Sequence, residues 1–186
     1  RVKEKAFRRG KLKKAIYTKF GGEETSKSQK AFVDDLLEEH RGHPLNTDDI
    51  LPDFTKYRIG YRAVTNAGNE RTMVATIIPK GTPCIKTVQL LRPHEPSPTK
   101  SDLSAESLHG AYQDIFSPRE LTAAVGMLNS IPFDYLMRTK VSTDLVKYKL
   151  EESQVPRLSK GDDWFEFIST RAARLNCYGE PFEDLR

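Results

Sequence analysis

A strictly alternating segment constrains the fold of this chain more than any other feature. Residues 56–64, KYRIGYRAV, place an apolar side chain at every second position, the pattern of a half-buried strand. The turn-rich segment 65–70, TNAGNE, follows, and the β-branched segment 71–79 predicts a second strand. We therefore expect a hairpin with a loop of about six residues, with 84–92 as a third strand. The side chains predicted to share one face of the first strand are Tyr57, Ile59, Tyr61 and Ala63.

Helix signals lie on both sides of this hairpin in the sequence. Ser28 can cap a helix over 28–39, which Gly42 would end. The run Ser-Pro-Arg-Glu at 117–120 predicts a capping box with proline in the first helical turn. The predicted helices cover 28–39, 118–130, 133–150 and 163–175. The last of them is expected to place Trp164, Phe165, Ile168, Ala172 and Leu175 along one buried side.

These elements predict the α+β class, with a small, mainly antiparallel sheet packed by several helices. The length of 186 residues suits one domain, expected over 25–186. Residues 1–24 are basic and contain few apolar positions, so we expect no fixed order there. Because the sequence begins at Arg1 rather than Met, we also expect it to be part of a longer protein.

Charge is distributed in blocks that the formal net charge of +4 conceals. Residues 1–20 carry nine Lys/Arg and one acid, and residues 54–92 carry seven Lys/Arg and one acid. Acids dominate residues 31–53 and, more weakly, 93–186. Blocks of this kind indicate charged partners rather than a particular fold.

Several classes of protein and site are excluded or disfavoured by pattern. No apolar run approaches the length of a membrane span, and two cysteines are too few for a disulfide framework, so we expect a reducing cytoplasm. Glycine-rich phosphate loops, GxSxG, Asp-x-Lys, Glu-x-Lys and Pro-Pro are all missing from the sequence. His40 and His43 are close enough to join a metal site, but a solvated helix end is the favoured interpretation. We therefore predict no catalytic or metal-binding residues in this chain.

Binding to double-stranded DNA is the chemistry that the hairpin favours. Its loop offers asparagines, which can read adenine, and its arginines can read guanine or contact phosphates. The candidate DNA-contacting residues are Arg58, Arg62, Asn66, Arg71, Lys80 and Arg92, with Lys86, Arg138 and Lys140 as further candidates.

Other interpretations of the same residues stay open at this point. Arg58 and Arg62 could instead pair with carboxylates of the acidic helix, and Asn66, Asn69 and Arg71 could be ordinary turn residues. The whole chain could be an RNA-binding module with the basic N-terminus as an electrostatic arm. Exposed aromatics would favour that interpretation, but Tyr57 and Tyr61 share the apolar face of their strand. It could also be a non-catalytic protein-interaction or scaffold domain.

Two blocks of the sequence, in this order, resemble a known family. YRIGYRAVTNAGNERTMVATIIPKGT is similar to an "fRdi…tNeRTmiaaviP" block, and AVGMLNSIPFDYLMRTKV…ESQVPRL is similar to an "LNS.pfdyl.r…lPvP" block. Together with the closing DDWFEFISTRAARLNC, they resemble the TaqI-like target-recognition part of large adenine-specific DNA methyltransferases of type IIG restriction-modification systems. The resemblance covers about residues 45–180.

The resemblance implies a specificity domain without catalysis of its own. A linked N-terminal methyltransferase domain, with S-adenosylmethionine as its cofactor and in some members an endonuclease, would flip out and methylate the adenine. It further implies that Asn69, Glu70, Arg71 and Thr72 hold the hairpin together as much as they read DNA. The segment 128–130, Leu-Asn-Ser, would mark the end of a helix.

Overall fold

The structure, a computed structural model, describes residues 2–21 and 28–185, with side chains from Arg8 onward. The described residues confirm the α+β class, because small antiparallel sheets pack with helices. In chain order the elements are α1 (Val2–Phe20), α2 (Gln29–Arg41), β1 (Arg58–Arg62), β2 (Ala75–Ile78), β3 (Val88–Leu90), β4 (His94–Pro96), α3 (Lys100–Leu103), β5 (Tyr112–Asp114), α4 (Pro118–Leu128), α5 (Ile131–Lys140), α6 (Lys147–Glu151) and α7 (Asp163–Asn176).

The chain divides into two compact units. Unit 1 consists of residues 1–55 and 94–115, and unit 2 consists of residues 56–93 and 116–186. Each unit has its own cluster of buried apolar side chains. Of the segment 1–24 that was expected to lack order, residue 1 and residues 22–24 lie outside the described residues.

Unit 1 is built on helices α1 and α2, with β4 and β5 forming an antiparallel pair. Ser28 accepts a hydrogen bond from the Ala31 amide and Gly42 ends α2 with a φ of 78°, so the predicted start and end of this helix are confirmed. Helix α1 was not predicted. It forms because Leu12 and Ile16, four residues apart, are fully buried against α2.

Unit 2 contains a three-stranded antiparallel sheet in the order β2-β1-β3. The predicted hairpin is confirmed, and the face of β1 that carries Ile59 and Tyr61 is buried. Helix α4 contacts this sheet and packs closely against α7. A Cβ atom at Gly126 would lie 2.7 Å from Ile168 Cγ2, so the two helices can approach this closely because residue 126 lacks a side chain.

The capping box predicted for α4 is present, with Ser117, Pro118 and Glu120 in the expected roles. The predicted burial of α7 is partly wrong, because Trp164 is 67% exposed and Leu175 is 84% exposed. The residues of α7 that are buried are Phe165, Ser169 and Ala172. Over the described residues, no helix is both long and apolar enough to span a membrane.

Candidate nucleic-acid interface

The loop that joins β1 to β2 covers residues 63–74, twice the length predicted from its composition. We call it the 63–74 loop. At the start of this loop the chain stops pairing with β2 and pairs with residues 143–145 instead. The Leu145 amide donates to the Ala63 carbonyl at 2.7 Å, and the Thr65 amide donates to the Thr143 carbonyl at 3.2 Å. The segment 63–65 therefore pairs with 143–145 and departs from the hairpin ladder.

Asp134 of α5 holds the far side of the 63–74 loop. Its Oδ1 accepts hydrogen bonds from the amides of Thr72, at 2.8 Å, and Met73, at 2.7 Å. Arg138 Nε donates to Oδ2 at 3.1 Å, and Arg71 Nε lies 3.5 Å from Oδ1. Because both amides are used in this way, residues 72 and 73 cannot extend β2 as a regular strand.

Asp134 is 4% exposed. Burial alone would raise its pKa, but the Met73 amide, Arg138, Arg71 and the Thr72 amide together hold the pKa of Asp134 below its usual range. A charged acceptor forms stronger hydrogen bonds than a neutral one. Asp134 is thus the centre of a charge-assisted network that joins α5 to the loop.

Three arginines complete the support of this loop by donating to oxygens of the loop or of the end of α4. Arg62 donates to Thr65 Oγ1 at 3.1 Å and to the Arg71 carbonyl. Arg138 donates to the carbonyls of Ala67, at 3.3 Å, and Glu70. Arg71 donates to the Asn129 carbonyl at 2.6 Å.

The role that the resemblance implied for residues 69–72 is visible in these contacts. Arg71 and Thr72 form hydrogen bonds inside the fold, and Asn69 Nδ2 donates to Thr65 Oγ1 at 3.0 Å. Glu70 is exposed, and its main-chain carbonyl accepts a hydrogen bond from Arg138.

Asn129 links the end of α4 to the start of β2. Its side chain accepts from the Ala75 amide at 2.9 Å and donates to the Ala75 carbonyl at 2.7 Å. Asn129 is also the C-cap of α4, and Ser130 is the N-cap of α5. The Leu-Asn-Ser segment therefore ends one helix and starts the next, and the helix end implied by the resemblance is present.

The tip of the loop is exposed while its base is held. Asn66, Ala67 and Gly68 are all exposed. Asn66 Oδ1 accepts from the Gly68 amide at 2.9 Å, which leaves a second lone pair on this oxygen for another donor. Since adenine offers N6–H as a donor and N7 as an acceptor, the side chain of Asn66 has the chemistry to read it.

The other candidate residues lie in different environments of unit 2. Arg58 is 2% exposed and donates to the Thr82 carbonyl. Lys80 and Lys86 are both exposed, and Lys80 forms an ion pair with Asp184 at 2.5 Å. Arg92 is half-buried. Lys140 Nζ donates to Ser153 Oγ at 2.9 Å and to the Glu152 carbonyl at 3.4 Å.

Seven of the nine candidates fall into two groups, and Lys80 and Arg92 belong to neither. The first group donates hydrogen bonds to oxygens of unit 2 itself and consists of Arg58, Arg62, Arg71, Arg138 and Lys140. The second group, Asn66 and Lys86, is exposed on the surface of unit 2. Contact of any of them with DNA stays a prediction.

The histidine pair considered for a metal does not gain a ligand set. His43 Nδ1 lies 3.1 Å from the Pro44 carbonyl and 3.1 Å from Asn46 Nδ2. Over residues 2–21 and 28–185, no group of three His, Cys, Asp or Glu residues could hold a metal ion.

Comparison with known proteins gives no match on which a function could be based. No protein-family model, no curated protein and no solved structure matches the chain.

Sequence reasoning missed the two residues that organise this site, Asp134 and Asn129. The available signal was a carboxylate in the otherwise apolar run at 131–137, IPFDYLM. Such a residue is buried only when it has partners. No sequence pattern showed that the partners of Asp134 would be the main-chain amides of Thr72 and Met73, about sixty residues earlier in the chain.

Proposed function

We propose that this chain is the DNA-recognition part of an adenine-N6 DNA methyltransferase of a restriction-modification system. The methyl donor S-adenosylmethionine would bind to a linked catalytic domain, and the site of action would be the cytoplasm. The role of this chain would be to bind duplex DNA at a defined sequence.

The observation that carries this proposal is the support of the 63–74 loop. A loop that reads base edges must keep its shape while it enters a groove, because disorder would cost binding free energy. Asp134, Arg62 and Arg138 hold the loop through its main chain, so its exposed tip is preorganised. Asn66 at this tip is the residue that we assign to base reading.

The lysines would supply affinity without sequence information. Lys86 is exposed in the segment between β2 and β3, and Lys80 is partly neutralised by Asp184. A lysine that contacts a phosphate releases a counterion, and binding then weakens as salt rises. We therefore assign phosphate contact to Lys86 first and to Lys80 second.

Salt-dependent binding of a fluorescein-labelled duplex of mixed sequence tests this assignment. We expect Lys86→Ala to reduce the slope of log K against log salt by about 0.9, the value for one lost phosphate contact. Fluorescence anisotropy at a series of salt concentrations measures this slope. Lys30→Ala is the matched control, because Lys30 is also exposed but lies on the acidic helix α2.

Two results would count against the proposal. The first is the absence of salt-dependent duplex binding by the unmodified chain. The second is an equal change of slope in the Lys86 and Lys30 variants, since that would mean that the effect comes from net charge and not from a contact.

A further inference from the structure

Helix α7 carries a second apolar face that unit 2 leaves exposed. Trp164, Phe167, Arg171 and Leu175, which we call the α7 stripe, follow one another at intervals of three or four residues. Trp164 is 67% exposed, and Phe167 is 46% exposed. Residues at this spacing share one side of a helix, so the stripe is a continuous outward surface along α7.

Two aromatic rings and a cation lie next to one another on this stripe. The rings of Trp164 and Phe167 lie 5.6 Å apart at an interplanar angle of 70°. The guanidinium carbon of Arg171 lies 3.4 Å from the centre of the Phe167 ring. Aromatic rings and guanidinium planes are both surfaces on which nucleobases stack.

The charge beside the rings is positive toward the C-terminal end of α7. Over the part of the chain that the structure describes, neither Arg171 nor Arg174 forms an ion pair with a carboxylate. Glu166, the nearest acid within the helix, is paired with Arg119, and Asp163 lies at the helix start. The two arginines are therefore available to a ligand with phosphates.

A single strand fits this chemistry better than a duplex or an apolar protein helix does. A duplex hides the faces of its bases, whereas a single strand presents them next to its phosphates. A partner helix would prefer an aliphatic seam, but Leu175 is the only aliphatic side chain among the four residues of the stripe. From Trp164 to Leu175 the helix rises roughly 16 Å, comparable to four or five nucleotides at about 3.4 Å each.

We propose that the α7 stripe binds single-stranded DNA, with a base stacked on Trp164 and phosphates on Arg171 and Arg174. The site is separate from the 63–74 loop and needs no particular base sequence. It would therefore function whether or not the loop recognises duplex DNA.

Trp164 makes a direct experiment possible because it is the single tryptophan of the chain. Titration with a fifteen-residue oligo-dT is expected to quench its fluorescence, since a base stacked on the indole is an efficient quencher. Anisotropy of the same oligonucleotide with a fluorescein label then gives the affinity. We expect Trp164→Ala to weaken binding about tenfold, and Trp164→Phe to weaken it less because a ring is retained.

Tyr135→Ala is the matched control, because Tyr135 is an aromatic residue that is 71% exposed on a different helix, α5. We expect this variant to bind oligo-dT like the unmodified chain. Duplex binding by Trp164→Ala should keep its salt slope, so a failure of the stripe can be distinguished from a failure of the 63–74 loop.

Three outcomes would overturn the proposal. Oligo-dT could leave both the fluorescence and the anisotropy unchanged. Oligo-rU could bind while oligo-dT does not, which would make the ligand RNA. Trp164 emission could instead shift with protein concentration in the absence of DNA, which would show that a second copy of the chain covers the stripe.

Discussion

Replacing Asp134 with alanine should lower the free energy of unfolding of unit 2 by about 3–5 kcal/mol. The substitution removes the acceptor of the Thr72 and Met73 amides, which lie on buried residues, and leaves two guanidinium groups without their carboxylate. Each buried donor without a partner costs free energy, and the ion pairs are lost in addition. Urea denaturation followed by circular dichroism measures the change.

Asp134→Asn is the control that separates charge from hydrogen bonding. The amide oxygen of asparagine can still accept from one or both main-chain amides, whereas the attraction to Arg71 and Arg138 is lost. We therefore expect a smaller loss than for Asp134→Ala. Equal stability of the alanine variant and the unmodified chain would contradict the assignment of Asp134 as the support of the 63–74 loop.

Replacing Arg41 with alanine should destabilise unit 1 by about 3–5 kcal/mol. Arg41 Nη1 donates to Asp49 Oδ1 at 2.7 Å, and the two side chains are 3% and 4% exposed. Burial would raise the pKa of Asp49, but Arg41 and the Asn46 amide hold it below its usual range. Without Arg41, a buried carboxylate would remain without its cation, and the free energy of unfolding should fall accordingly.

The double variant Arg41→Met with Asp49→Leu is the matched control for this pair. It replaces both charges by apolar groups of comparable volume, and such replacements are often close to neutral. We expect the double variant to unfold at a higher urea concentration than Arg41→Ala. If the single variant were as stable as the unmodified chain, the pair would not support unit 1 in the way described.

The helices that carry local signals were predicted well, for reasons that the structure makes clear. The caps of α2 and α4 depend on residues within three or four positions of the helix end, so they can be recognised in the sequence. Helix α1 was missed because its support is tertiary. Lys13 pairs with Asp34 at 2.7 Å, and Arg9 donates to the Leu45 carbonyl at 2.9 Å.

The candidate site was located by the sequence, but the roles of its residues were not. The turn composition of 65–70 identified the loop correctly. Its length was underestimated, because the amides of Thr72 and Met73 bond to Asp134, which no local pattern reveals. Arginines that were predicted as DNA contacts, such as Arg62 and Arg138, support the loop through main-chain carbonyls.

The exposed face of α7 shows a limit of periodicity as a signal. Apolar residues at helical spacing predicted one buried side that included Trp164 and Leu175. The helix in fact carries two apolar sides. Phe165 and Ala172 are buried against the rest of unit 2, and the side with Trp164 and Leu175 is left exposed. Hydrophobic spacing identifies a face of a helix but does not tell what covers it.

Selection from a pool of duplexes with a randomised centre tests most directly whether the 63–74 loop reads DNA sequence. We predict that the unmodified chain enriches one motif that contains an adenine, and that Asn66→Ala loses the preference at one position while it keeps salt-dependent binding. Gln113→Ala, which removes another exposed side-chain amide, should enrich the same motif as the unmodified chain. Enrichment of no motif by the unmodified chain, or an unchanged motif with Asn66→Ala, would contradict the account.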